Sequence, residues 1–106
     1  MATGVLGSAN LSAATNTTLY TCPGTTFAVV TVSICNRSNS AITARMAISA
    51  SASPTAAEWI EYDTEILPKG VLERTGLVLD ATRNIVVYAS TGNTSAMAFG
   101  IETPTA

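Results

Sequence analysis

The chain has 106 residues, two of them cysteine, and a formal net charge of −2. This length suits one domain with a modest hydrophobic core. Hydrophobic residues make up 47% of the chain and charged residues only 11%, whereas a typical soluble domain carries about 25% charged residues. A surface covered largely by Ser, Thr, Ala and Asn has little charge to keep molecules apart, so we expect a protein that packs against neighbours.

The distribution of charge argues against two classes of partner. Phosphate-backbone binding requires clustered basic side chains, and no apolar run approaches the roughly 20 residues that a membrane-spanning helix needs. We therefore expect neither a nucleic-acid nor a membrane partner. The basic residues are scattered along the chain and comprise Arg37, Arg45, Lys69, Arg74 and Arg83.

The residues available for catalysis are also limited. The chain has no histidine, which is the commonest general base and the commonest metal ligand. Two cysteines without histidine do not make a zinc site of the usual composition. No phosphate-binding glycine loop and no G-x-S-x-G motif is present in the sequence. We expect a protein that is not an enzyme and has no cofactor.

The N-terminal segment, residues 1–16, is rich in small and polar residues and reads as an extended arm or a first strand. It lacks the basic start and long apolar core of a signal peptide. We expect synthesis in a cytoplasm with both thiols reduced. Cys22 and Cys35 are then each interpreted as a small buried hydrophobic residue.

The remainder, residues 17–106, is predicted to be a single domain of short strands. The clearest strand is 27–36, in which Ala28, Val30, Val32 and Ile34 share one face. Residues 41–50 alternate again and are predicted to be its hairpin partner. Further strands are predicted over 17–22, 58–67, 71–79, 85–90 and 95–102, with a bulge or close backbone approach at Gly76.

About seven to eight short strands separated by turn signals, with no helical period, predict an all-β fold. The predicted architecture is an antiparallel β-sandwich, either Ig-like or jelly-roll.

One acidic cluster could carry chemistry. If the strand is regular, Glu61, Asp63 and Glu65 share a face, and such a stripe could bind calcium or act on glycosides. The alternative, which we favour, is a solvated or interface-facing strand whose carboxylates pair with Arg74 or Arg45.

Two aromatic residues lie on the same predicted strand. Regular alternation places Ile60 and Tyr62 on one face and Trp59 and Glu61 on the other. Trp59 and Tyr62 could bind a sugar, but such rings more often serve as core residues or interface anchors.

Four segments carry a resemblance to a known group of proteins. They read EWIEYD at 58–63, LPKGVLERTGLVL at 67–79, VSICNRS at 32–38 and AFGIE at 98–102. Together they resemble small virion structural proteins of tailed bacteriophages, especially cyanophages and phages of other aquatic hosts. The resemblance covers about residues 4–102, and Trp59 stands where a tyrosine is more usual.

The resemblance implies a structural role in a virion assembled in the host bacterial cytoplasm. The function we expect is a capsid decoration (cement) protein, a homotrimer that bridges major capsid subunits. A tail, fibre or baseplate component is an alternative, and a carbohydrate-binding module for host-surface glycans is an alternative of another class. The residues predicted to lie at an interface are Trp59, Glu61, Tyr62, Asp63 and Arg74.

Overall fold

The computed structural model describes residues 3–105 as eight β-strands and one short 3-10 helix. No helix in this part of the chain is long and apolar enough to cross a membrane. The 3-10 helix spans Ala56–Glu58. The strands are β1 Thr3–Leu11, β2 Thr17–Thr21, β3 Thr26–Asn36, β4 Ile42–Ser49, β5 Trp59–Ile66, β6 Val71–Leu79, β7 Asn84–Ala89 and β8 Thr94–Pro104.

The strands form two antiparallel four-stranded sheets, in the orders β1-β8-β3-β6 and β2-β7-β4-β5. Strand β1 pairs with β8, β2 with β7, β3 with β6, and β4 with β5. This nested pairing is that of a hairpin rolled up around the core, which defines a jelly-roll. The predicted all-β sandwich is confirmed, and of the two architectures left open by the sequence, the strand order matches the jelly-roll.

The core lies between the two sheets and consists of aliphatic side chains from both. The alternation predicted for β3 is confirmed, since Ala28, Val30, Val32 and Ile34 are all at most 1% exposed. They pack in one cluster with Met46 of β4 and with residues of β7. Burial of these apolar side chains is the main stabilising contribution in a domain of this kind.

The predicted hairpin between β3 and β4 is wrong. The two strands lie in different sheets, where β3 is flanked by β8 and β6, and β4 by β5 and β7. Asn36, which is fully buried at the end of β3, holds the crossover in place. Its Nδ2 donates to the carbonyl oxygens of Ser40, Ile66 and Leu67 at 2.8–3.2 Å, and its Oδ1 accepts from the Ser38 amide. The crossover is therefore tied to the β5–β6 turn rather than closed as a tight hairpin.

Of the two alternatives predicted at Gly76, a bulge or a close backbone approach, the structure contains the bulge. Strand pairing passes from Val30–Leu77 to Val32–Arg74, which leaves two residues of β6 opposite one of β3. Gly76 has φ +69°, a left-handed conformation that is least costly for glycine. Strand β1 also contains a register shift, between Val5 and Gly7. Both edge strands of the β1-β8-β3-β6 sheet are thus irregular.

The segment for which an arm or a first strand was predicted contains β1, which pairs with β8 from Thr3 to Leu11. Leu11 is 2% exposed and belongs to the core. Residues 1, 2 and 106 lie outside the described part of the chain. Both cysteines are free; Cys22 is buried, and Cys35 is half-buried on the outer side of β3.

Candidate interaction surfaces

Strand β5 carries four of the five residues predicted to lie at an interface, and its irregular pairing decides where they point. Between the pairs Ala44–Thr64 and Met46–Glu61, β5 has one more residue than β4, and between Met46–Glu61 and Ala47–Trp59 it has another. Asp63, in the first of these bulges, has φ +51°, a conformation that aspartate tolerates better than most residues. Each extra residue reverses the alternation of the side chains along the strand.

Because of these bulges, the face assignment predicted for Trp59, Ile60 and Tyr62 is wrong. Trp59 and Tyr62 make an edge-to-face ring contact, with centroids 5.5 Å apart and an interplanar angle of 72°. Ile60 packs against the core, whereas the Tyr62 side chain is 57% exposed. The two aromatic residues therefore lie together, and with Ala56 they line an open pocket of about 390 Å³.

An arginine that sequence analysis did not include among the interface residues organises this surface. The Cζ atom of Arg45 lies 4.1 Å from the ring centroid of Tyr62 and 4.3 Å from that of Tyr88, distances suited to cation–π interaction. Its Nε donates to Oδ1 of Asp63 at 2.6 Å. This hydrogen bond is the main reason that the pKa of Arg45 is raised above its usual value. The guanidinium is held on three sides, which makes this aromatic–arginine cluster a fixed surface.

Glu61 and Arg74 lie apart from that cluster. Arg74 Nη1 donates to Glu61 Oε2 and, at 3.5 Å, to the Ile60 carbonyl oxygen. This ion pair joins β5 to β6, the edge strands of opposite sheets. The predicted pairing of the acidic strand with Arg74 and Arg45 is thus confirmed. The predicted stripe of Glu61, Asp63 and Glu65 is divided, since the first two bind different arginines. Among residues 3–105 no group of three or more Asp, Glu, His or Cys could hold a metal ion.

Glu58 is held by the loop that precedes β5. Its carboxylate accepts hydrogen bonds from the amides of Thr55 and Ala50 at 2.8 and 3.0 Å and from the Ser49 hydroxyl at 3.0 Å. The two backbone amides are the main reason that the pKa of Glu58 falls from 4.5 to about 2. Glu58 thus connects the end of β4 to the start of β5 and fixes the wall of the pocket beside Trp59.

A second surface, which sequence analysis did not identify, covers the outer side of the β1-β8-β3-β6 sheet. We call it the apolar face. Val29 lies between Ile101 and Val78 in the strand pairing, and Phe99 lies between Thr31 and Val5. Val5, Val78 and Ile101 are 64%, 62% and 48% exposed. The exposed hydrophobic residues of this face are Val5, Phe27, Val29, Val71, Val78, Met97 and Ile101.

One signal in the sequence could have indicated this face. Along β8 the large residues Met97, Phe99 and Ile101 alternate with Ala96, Ala98 and Gly100. The small residues face the core, and Ala96 and Ala98 are at most 2% exposed. The large ones consequently point outward, which is the reverse of the usual arrangement in a sheet with one solvated side.

No protein-family model matches this chain, and comparisons with curated proteins and with solved structures found no match.

Proposed function

We propose that this chain is a structural protein of a phage virion, a decoration (cement) protein that sits on the outside of the head as a homotrimer and bridges major capsid subunits. The proposal assigns the chain no catalytic role. Besides the sequence resemblance, it is supported by the jelly-roll topology, an architecture used by viral capsid proteins. Fold alone does not define function, so the proposal also rests on the two surfaces.

The observation that carries the proposal is the presence of two adhesive surfaces on opposite sides of one small sandwich. The apolar face belongs to one sheet, and the aromatic–arginine cluster of Arg45, Tyr62 and Tyr88 belongs to the other. A decoration trimer needs one surface for its own copies and another for the capsid, and its three copies can then contact different capsid subunits. Aromatic and arginine side chains are enriched among the residues that dominate binding at protein interfaces.

The copy number of this chain in purified virions tests the proposal. It is measured by quantitative mass spectrometry against the major capsid protein of the same particles. A decoration protein is expected at a copy number comparable to that of the capsid protein. A far lower number would replace head decoration by the tail, fibre or baseplate alternative, and absence from the particle would overturn the virion assignment.

A second candidate function is glycan binding, and the pocket beside Trp59 and Tyr62 favours it. The exposed Tyr62 ring offers an apolar surface, and the fixed Arg45 and Asp63 offer polar groups next to it. Such a combination suits a small polar ligand with apolar faces. Binding on a glycan array that is lost in Tyr62→Ala, but kept in Leu67→Ala at an exposed position away from the pocket, would support this function. An array without signal for the unmodified chain would exclude the glycans tested.

A further inference from the structure

We infer that copies of this chain associate through the apolar face, so that this face is covered by the same sheet of the neighbouring copies. This inference deepens the proposed function, on which the trimeric setting rests, by naming the surface that makes the self-contact. In the proposed trimer, the apolar faces of the three copies turn toward the symmetry axis.

The outer side of this sheet is unusually apolar for a surface exposed to water. In an antiparallel sandwich the outer side of a sheet is ordinarily polar, yet the row across the sheet at Val78, Val29 and Ile101 is apolar on all three strands. The neighbouring row contains Thr31, Phe99 and Val5. Single exposed hydrophobic residues are normal, but a contiguous patch marks an interaction site.

The strands of this face contain few charged residues. Strands β1, β3 and β8 contain one charged residue, Glu102. Its side chain is directed inward, is 8% exposed and accepts a hydrogen bond from Tyr20. Strands β1, β8 and β3 therefore present no formal charge outward, and the outward charge of this sheet lies on its edge strand β6, where Glu73 is exposed opposite Ser33. Around a symmetry axis, residues close to the axis meet the same residues of other copies, and a charged face would repel itself there. A face that is uncharged over three of its four strands is compatible with its own copy, because the charge on β6 lies at one edge.

The area of this face is comparable to that of a specific protein interface. Four strands about 4.8 Å apart and nine residues long at about 3.3 Å each give a face of roughly 600 Å² in projection. Its accessible area is larger because the side chains project from it. A specific interface buries about 800 Å² on each partner, so this face is of the right order.

The edge strands of this sheet are not suited to form the main contact between copies. Free edge strands can extend a sheet into a neighbouring copy, and bulges are one of the features that prevent this. Both edges of this sheet are irregular, with a register shift in β1 between Val5 and Gly7 and another in β6 at Gly76. The side chains of the face, rather than the backbone of its edges, are thus available for self-association.

The oligomeric state of the purified chain tests the inference, by sedimentation velocity and light scattering over a range of concentrations. The unmodified chain is expected to be an oligomer. Ile101→Lys is expected to raise its dissociation constant tenfold or more, since the ammonium would be buried without a partner. Leu67→Lys is the matched control, because Leu67 is an exposed hydrophobic residue in the β5–β6 turn, outside the four strands of the face. It is expected to leave the dissociation constant unchanged.

Val78→Lys, on an edge strand at a position 62% exposed, replaces Ile101→Lys if circular dichroism shows that the latter does not fold. A monomeric unmodified chain, or equal weakening by Leu67→Lys and the face variants, would overturn the inference. The outcome is separable from that of the proposed function. A monomer found at capsid-level copy number would remove the self-contact and the homotrimer but leave the virion role, and an oligomer absent from virions would remove only the virion role.

Discussion

At the scale of single residues, two buried polar side chains connect parts of the chain that are distant in sequence. Asn36 uses both ends of its amide to join the β3–β4 crossover to the β5–β6 turn. Tyr20 donates a 2.6 Å hydrogen bond to Glu102 across the sandwich, and burial is the first reason that the pKa of Tyr20 is raised above its usual range. In the described part of the chain every buried side-chain nitrogen and oxygen has a partner, which avoids the cost of leaving such groups unpaired.

Glu58 gives a prediction at this scale. In the folded chain its pKa is lowered to about 2 from 4.5, so the unfolded chain binds a proton first as the pH falls. The stabilisation from the Glu58 carboxylate is complete above about pH 5 and is lost progressively between about pH 4.5 and pH 2. We expect Glu58→Gln to lower the free energy of unfolding at pH 7 and to differ little from the unmodified chain near pH 2. Urea unfolding at several pH values measures the difference.

Glu65→Gln is the control for this experiment, because it removes a carboxylate at an exposed position of the neighbouring strand. It leaves the hydrogen bonds from Thr55 and Ala50 in place. Equal pH dependence of the two variants would show that the loop amides do not stabilise the ionised form of Glu58.

At the scale of elements, bulges influence the direction of the side chains more than strand propensity does. Two extra residues in β5 bring Trp59 beside Tyr62, and the bulge at Gly76 bends an edge strand next to Arg74. Each of these elements would be a regular strand by composition alone. The extra residues change which side chains face the core and which are available to a partner.

Strand β8 gives the prediction at this scale. It is central in its sheet, between β1 and β3, and a Cβ atom at Gly100 would overlap the carbonyl oxygen of Val29. Gly100→Ala therefore forces β3 and β8 apart, and we expect it to cost about 1–3 kcal/mol of unfolding free energy, as overpacking does elsewhere. In a domain of this size each kcal/mol lowers the melting temperature by roughly 4–8 °C. Thermal unfolding followed by circular dichroism measures the loss.

Gly92→Ala provides the comparison for Gly100→Ala, because a Cβ atom there meets nothing within 4 Å. It is expected to change the melting temperature little. If Gly100→Ala melted at the same temperature as Gly92→Ala, the close approach of β8 to β3 would not be tight enough to matter.

At the scale of the whole molecule, the uneven distribution of polarity over its two outer sides is the property most relevant to function. The β2-β7-β4-β5 sheet presents rings, a guanidinium and a carboxylate fixed to one another. The β1-β8-β3-β6 sheet presents hydrophobic side chains. One side is suited to a partner with polar features and the other to a partner that is itself apolar.

This difference predicts how self-association depends on salt. Contacts between exposed charges weaken as ionic strength rises, because the Debye length falls to a few ångström. Association through a face that is uncharged over β1, β8 and β3 does not depend on such contacts. Between about 50 mM and about 500 mM sodium chloride, we expect the dissociation constant of the oligomer to change by less than about threefold. Sedimentation measured across this series provides the check, and weakening by an order of magnitude would point instead to the charged residues of β5 and β6.

The sequence by itself determined the fold class, the position of most strands and the buried side of β3, because alternation acts locally, and it marked Gly76 as the site of a bulge or a close backbone approach. It also indicated that Arg74 and Arg45 pair with the acidic strand. Only the tertiary structure decided that β3 and β4 lie in different sheets, since a period of two shows that a residue faces a core without showing which strand lies beside it. It alone placed Trp59 with Tyr62 and turned the large residues of β8 outward. One inserted residue reverses the phase of a strand, and the choice of which side is buried depends on packing against residues distant in the chain.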